Sequence, residues 1–159
     1  MMWSDIPRSL HNRNYRHYLL GQLVSLHGTQ IASVAQSWLV YNMTQSSLML
    51  GLVHFSMLFP ILLFGLFSGV LADHFSRRRL LLFSQGGAML LTFLLAGLAL
   101  SGQLELWQIF VIAAMIGTTQ AVDMPVRQSF LSDLVPKEML SNAVGLNSSV
   151  FNMARFIGP

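Results

Sequence analysis

The side chains able to do chemistry are few, and the densest group of them sits in one turn. Asp73 is followed by His74 and then by Arg77, Arg78 and Arg79, with Gly69 four residues ahead of the acid. A carboxylate beside guanidinium groups suits ion pairing. A second acid–base pair, Asp123 and Arg127, stands at the four-residue spacing that brings side chains together on one helix face. A further charge, Arg155, lies near Asn152 in a stretch with no other charged residue. Covalent chemistry finds no support. There are no cysteines, no His/Glu/Asp cluster at metal-ligand spacing, no Ser/His pair and no phosphate-binding glycine loop. No catalytic residue, metal or cofactor is expected, and an enzyme is the weakest reading.

The elements that position these charges are apolar. Of 159 residues, 53% are hydrophobic and 9% are charged, against about 25% charged in soluble domains. A soluble domain of this size has no interior large enough for that apolar surface. Leu48 to Ala72 and Leu80 to Leu100 contain no Lys, Arg, Asp or Glu. Each is long enough to cross a bilayer, which takes about 20 apolar residues. The short charged turn between them makes the two helices antiparallel neighbours. The chain is therefore expected to be an all-α, multi-spanning membrane protein, with the lipid bilayer as a partner.

The expected organisation is a polar, basic segment over 1–17, with Trp3 as an interfacial anchor, followed by a transmembrane bundle over 18–159. The spans are expected at about 18–41, 48–72, 80–100, 106–126 and 141–159. Residues 127–137 are expected to be a polar, amphipathic segment, and the fifth span is expected to be cut short. A signal peptide is the competing reading of the first span, with Ser33-Val-Ala35 resembling a cleavage site. Its length, its polar residues and the spans that follow argue against it. Basic residues per gap run three, none, three, none, two: Arg8, Arg13 and Arg16; then Arg77 to Arg79; then Arg127 and Lys137. By the positive-inside rule this alternation places the N-terminus and the 77–79 turn in the cytoplasm. The same distribution accounts for the pI near 10.0 without invoking nucleic acid.

Polar residues inside the first span are concentrated. Gln22, Ser25, Thr29, Ser33 and Gln36 fall within about 80° of one another at helical spacing. Such a stripe faces protein or a water-filled cavity, so either interhelical hydrogen bonding or the lining of a pathway explains it. Ser141, Gly145, Ser148, Asn152 and Arg155 form a second stripe, in the fifth span. An arginine that deep in a span is a functional candidate, with a structural ion pair as the alternative. His27 and His54 read as structural. Gly65 with Gly69, and Gly86 with Gly87, read as places where helices pack closely.

The Gly69-x-x-x-Asp73-x-x-x-Arg77-Arg78 spacing resembles the signature turn of the major facilitator superfamily. His74 and Ser76 stand where that motif usually has a basic residue and a glycine. Further segments resemble the branch of bacterial exporters related to macrolide-efflux and enterobactin-export permeases: Asn14-Tyr-Arg16, Trp38 to Thr44, Asp123-Met-Pro125-Val-Arg127-Gln128, Leu131 to Glu138, and Asn152 to Pro159. Gly145, Gly158 and Pro159 match part of the fifth-span packing motif of antiporters, with Ala154 in place of a glycine.

The resemblance implies a twelve-span transporter of two six-span halves. This chain would supply four complete spans and a truncated fifth, and the C-terminal half would be a missing partner. It implies proton-coupled export of a small-molecule substrate across the inner membrane by alternating access. In such proteins the acid matching Asp73 caps a helix of the opposite half, and the guanidinium matching Arg77 pairs with a fourth-span acid, here Asp123. With Gly69 and Arg78 these form a cytoplasmic gate. Gln22, Ser25, Thr29, Ser33, Gln36, Arg127, Asn152 and Arg155 are the candidate pathway. The reading from another class is a non-transporting scaffold or assembly subunit that keeps the fold.

Overall fold

The structure is a computed structural model. It describes the backbone of residues 13–74 and 76–157, and the side chains in those ranges other than 66–74, 137 and 157. Trp3, Arg8, Gly158 and Pro159, and the side chain of Asp73, lie outside the described residues. So does Gly69, apart from its place in the helix backbone.

Among the described residues the regular structure is helical: α1 (Arg13–Thr44), α2 (Ser47–His74), α3 (Arg77–Leu100), α4 (Leu106–Leu134), a 3-10 turn (Lys137–Met139) and α5 (Leu140–Ile157). Among the described residues, three stretches are long and apolar enough to cross a membrane: Ser47–Gly65, Arg77–Leu100 and Leu106–Leu134. The expectation of five spans thus exceeds what composition alone supports. α1 is 32 residues long, but Gln22, Ser25, His27, Thr29, Ser33 and Gln36 dilute its apolar character. α5 carries Asn147, Ser148, Ser149, Asn152 and Arg155 within 18 residues.

Two boundaries differ from expectation. α1 begins at Arg13, inside the segment read as interfacial, because Tyr15 and Leu19 already belong to a buried face. α4 does not end near Val126 but continues to Leu134 through Pro125. Proline removes one helix hydrogen bond, and Val126 and Leu131 on either side of the register are buried, which holds the later turns in place.

The chain divides into two compact units. The first comprises residues 1–36 and 130–159. Its core joins Tyr15, Leu19 and Leu26 of α1, Leu131 of α4, Val135, and Ala143, Val150 and Ala154 of α5. Tyr15, Leu19, Gln22 and Leu26 recur at spacings of four, three and four, as do Ala143, Asn147, Val150 and Ala154. That is the seam pattern of helices packed side by side. The Tyr15 hydroxyl donates to the Ala143 carbonyl at 3.2 Å. Tyr18 packs its ring against Phe130, with centroids 5.8 Å apart. Burial first, and neighbouring Tyr18 second, push the Tyr15 phenol up to about 12.

The second unit spans residues 37–129. Val40, Val53, Leu95, Ile109, Ile112 and Ala113 form its core. The α1–α2 turn places Gln45 at φ 51°, a left-handed helix end usually taken by glycine, with its N–H bonded to the Tyr41 carbonyl at 2.7 Å. Glu105 starts α4 by a reciprocal cap, its N–H donating to Gln108 Oε1 at 2.9 Å while the Gln108 N–H donates to the Glu105 carbonyl at 3.1 Å.

Among the described residues, the tightest helix approach in this unit is at a glycine that the spacing did not mark. A Cβ added at Gly65 or Gly86 meets nothing within 4 Å. At Gly117 it falls 2.9 Å from the Met57 carbonyl carbon and 3.1 Å from Met57 Cα, and closer still to the carbonyl oxygen. α4 therefore crosses α2 backbone to backbone. One side chain reinforces the crossing: Ser56 Oγ donates to the Phe110 carbonyl at 3.2 Å.

Candidate functional site

α3 starts badly for a helix. Ser76 takes the N-cap position in an extended conformation but makes no side-chain cap, and the first turn contains Arg77, Arg78 and Arg79 with no acid. Cations at a helix N-terminus oppose the dipole by roughly 0.3–1 kcal/mol each. Arg78 and Arg79 are exposed, whereas half-buried Arg77 reaches α4, where Nη1 donates to the Ser129 carbonyl at 3.0 Å.

Two turns further along α3, Ser84 is buried and donates to Asp123 Oδ1 on α4 at 3.0 Å. The other carboxylate oxygen accepts from Arg127 Nη2, so Asp123 and Arg127 pair within the helix, across Pro125. Arg127 Nε is buried with no hydrogen-bond partner among the described residues. Gly87 and Thr119 continue the contact, a Cβ at Gly87 falling 3.4 Å from the Thr119 methyl. Partners that rise along α3 (77, 84, 87) as they fall along α4 (129, 123, 119) mark the two helices as antiparallel neighbours.

The arrangement is a row of charge-assisted hydrogen bonds at one end of the α3–α4 contact. Among the described residues it has no acid–base pair aimed at a shared reacting atom. Among the described residues no His/Asp/Glu group is placed to hold a metal ion. Such a row can hold two helices in one arrangement and let them part when its partners change. The i,i+4 spacing made the Asp123–Arg127 pair readable in advance. Ser84 was missed, although its signal was present: it lies seven residues after Arg77, on the same helix face.

The α1 stripe divides by exposure. Gln22 is 3% exposed and sits in the buried face between Leu19 and Leu26. Ser25, Ser33 and Gln36 are half-buried, and Thr29 is exposed, its hydroxyl donating to the Ser25 carbonyl at 2.9 Å. His27 Nδ1 lies 2.8 Å from the Leu23 carbonyl and His54 Nδ1 lies 3.0 Å from the Leu50 carbonyl, so each bonds to its own helix.

On α5, Ser141, Gly145, Ser148, Asn152 and Arg155 are all exposed, on the side away from buried Ala143, Val150 and Ala154. The Arg155 guanidinium lies over the Phe151 ring, 5.1 Å from its centroid. A Cβ at Gly145 meets nothing within 4 Å.

The model of the transmembrane secretion effector family matches residues 8–159. The chain belongs to that family, within the major facilitator superfamily. Its sequence is 33% identical over 133 residues to the staphyloferrin A transporter of Staphylococcus aureus, covering 83% of this chain and 34% of that protein. It is 25% identical over 146 residues to the MFS-type transporter YfiS of Bacillus subtilis, covering 86% of this chain and again 34% of the relative. The chain thus spans about a third of the length of the curated relatives it matches. No solved structure matches it. Membership and the apolar helices make this a membrane protein of a small-molecule transporter family, a family whose members are in general not enzymes.

Proposed function

We propose that the chain is the N-terminal part of a secondary transporter that exports small molecules in exchange for protons. Four spans and the beginning of a fifth belong to one half of the molecule, and a C-terminal half completes the cavity. The N-terminus and the Arg77–Arg79 turn face the cytoplasm of an inner membrane, as the alternation of basic gaps requires.

The observation that carries this reading is the α3–α4 row. Three arginines start a helix against its dipole, and one of them, with Ser84 and Asp123, ties α3 to α4 at the same end. We read the row, with Gly69, Asp73 and Arg78, as a cytoplasmic latch that closes in one state and opens as the halves rock. Ser25, Thr29, Ser33 and Gln36 line the pathway, and Gln22 seals its wall in the α1–α5 seam. Asn152 and Arg155 meet substrate or the second half. Arg127 serves the latch through Asp123, and Gly145, Gly158 and Pro159 serve helix packing.

Substrates are drug- or siderophore-like, and staphyloferrin A, named for the staphylococcal relative, is the first compound to test. Inside-out vesicles holding the complete protein should accumulate substrate only while their interior is acidic, and a protonophore should abolish the uptake. Uptake equal with and without the gradient overturns proton coupling. No uptake of any compound by correctly inserted protein favours the scaffold reading.

A further inference from the structure

Ser84 is 7% exposed, and its hydroxyl has one hydrogen and two acceptors within reach. One is Asp123 Oδ1 on α4, at 3.0 Å; the other is the Leu81 carbonyl on its own helix, at 3.2 Å. Arg77, two turns earlier on the same face, also reaches α4, but it grips the Ser129 backbone carbonyl. α3 therefore holds α4 through a backbone carbonyl at Ser129 and through a side chain, Ser84, that is able to turn away.

We propose that Ser84 is a positioning residue of the latch. It holds the Asp123 carboxylate in the orientation that meets Arg127, and it releases that carboxylate without stranding a buried hydroxyl. While the latch is closed, the Ser84 hydrogen is given to Oδ1 and Arg127 Nη2 serves the other oxygen. When the carboxylate leaves, the hydroxyl turns to Leu81, so no unpaired donor remains in the apolar contact. An apolar residue here would leave Oδ1 short of a donor in the closed state.

The inference rests on the latch reading, and the test separates the two. In the complete protein, Ser84→Ala should lower transport about tenfold, the worth of a lost hydrogen bond to a charged group, and Ser84→Thr should restore it. Ser84→Ala should add nothing in an Asp123→Asn background. The infrared carboxylate band identified by its loss in Asp123→Asn should shift in Ser84→Ala and return in Ser84→Thr. An unshifted band, or an Ser84→Ala loss that persists in full in the Asp123→Asn background, overturns the positioning role. A shifted band together with wild-type transport by Asp123→Asn upholds the hold on the carboxylate and overturns the latch. If alanine blocks insertion, Ser84→Cys, a weaker donor of similar size, replaces it, with the same band shift expected and an unshifted band again decisive.

Discussion

Gly117→Ala tests the helix crossing that sets the second unit's geometry. The added methyl would lie 2.9 and 3.1 Å from two backbone carbons of Met57, where carbon contacts settle at about 3.5–4.0 Å. The Met57 carbonyl oxygen lies closer still, so α2 and α4 must part by more than about 1 Å, because the obstacle is backbone and has no rotamer to escape into. Overpacking of that kind costs about 1–3 kcal/mol. Parting also stretches the Ser56–Phe110 bond from 3.2 Å and loosens Val53, Ile109 and Ala113 in the core. Against this, replacing glycine inside a helix gains about 1 kcal/mol of propensity.

Gly86→Ala has the same propensity gain and no neighbour within 4 Å of the new methyl. It should be neutral or stabilising by up to about 1 kcal/mol. The two variants should therefore differ by about 1–3 kcal/mol, since the propensity term cancels between them. Thermal or denaturant unfolding of the detergent-solubilised complete protein reads the difference. A Gly117→Ala variant as stable as Gly86→Ala would refute a backbone-to-backbone crossing at Met57.

Asp73→Asn in the complete protein should lower transport while leaving membrane insertion unchanged, as measured by efflux at equal expression. Arg155→Leu should abolish transport and Arg155→Lys should impair it, since lysine lacks the planar fork. Tyr15, ahead of the first expected span, should ionise near pH 12, and Tyr15→Phe should delete that step from an absorbance titration. With its phenol raised above the ordinary 10, its contribution to stability is complete below pH 10 and fades as pH passes about 12, which alkaline unfolding of the two proteins compares.

What could be read from the sequence follows the strength of the physical signal. Charge-free runs bounded by charge clusters located α2 and α3 closely, because a charge inside lipid is costly and ends a span sharply. α1 and α4 were less legible. Arg13 and Arg16 look like a boundary, yet Tyr15 and Leu19 between and after them supply the buried face that keeps the helix going. Pro125 and Arg127 look like an exit, yet tertiary packing of Val126 and Leu131 carries α4 onward. The site was half legible. Spacing within one helix revealed Asp123 with Arg127, but Ser84 and the Ser129 carbonyl come from packing between helices, which local periodicity does not encode. Gly117 was invisible for the same reason: one glycine has no pattern until a second backbone is laid against it.

The arginines of α3 are best understood through the helix beside them. Taken alone, Arg77, Arg78 and Arg79 sit at the positive end of a dipole with no acid in the first turn, a poor start to a helix. The antiparallel packing of α3 on α4 brings that end alongside Ser129 of α4. Arg77 donates its hydrogen bond there to the Ser129 carbonyl, and Asp123 one and a half turns earlier is held by Ser84 and Arg127. What opposes α3 by itself thus favours α3 against α4. The stabilisation exists only while the two helices stay in register at this end. Charges arranged in this way contribute little to the fold of either helix by itself and much to the register in which the pair is held.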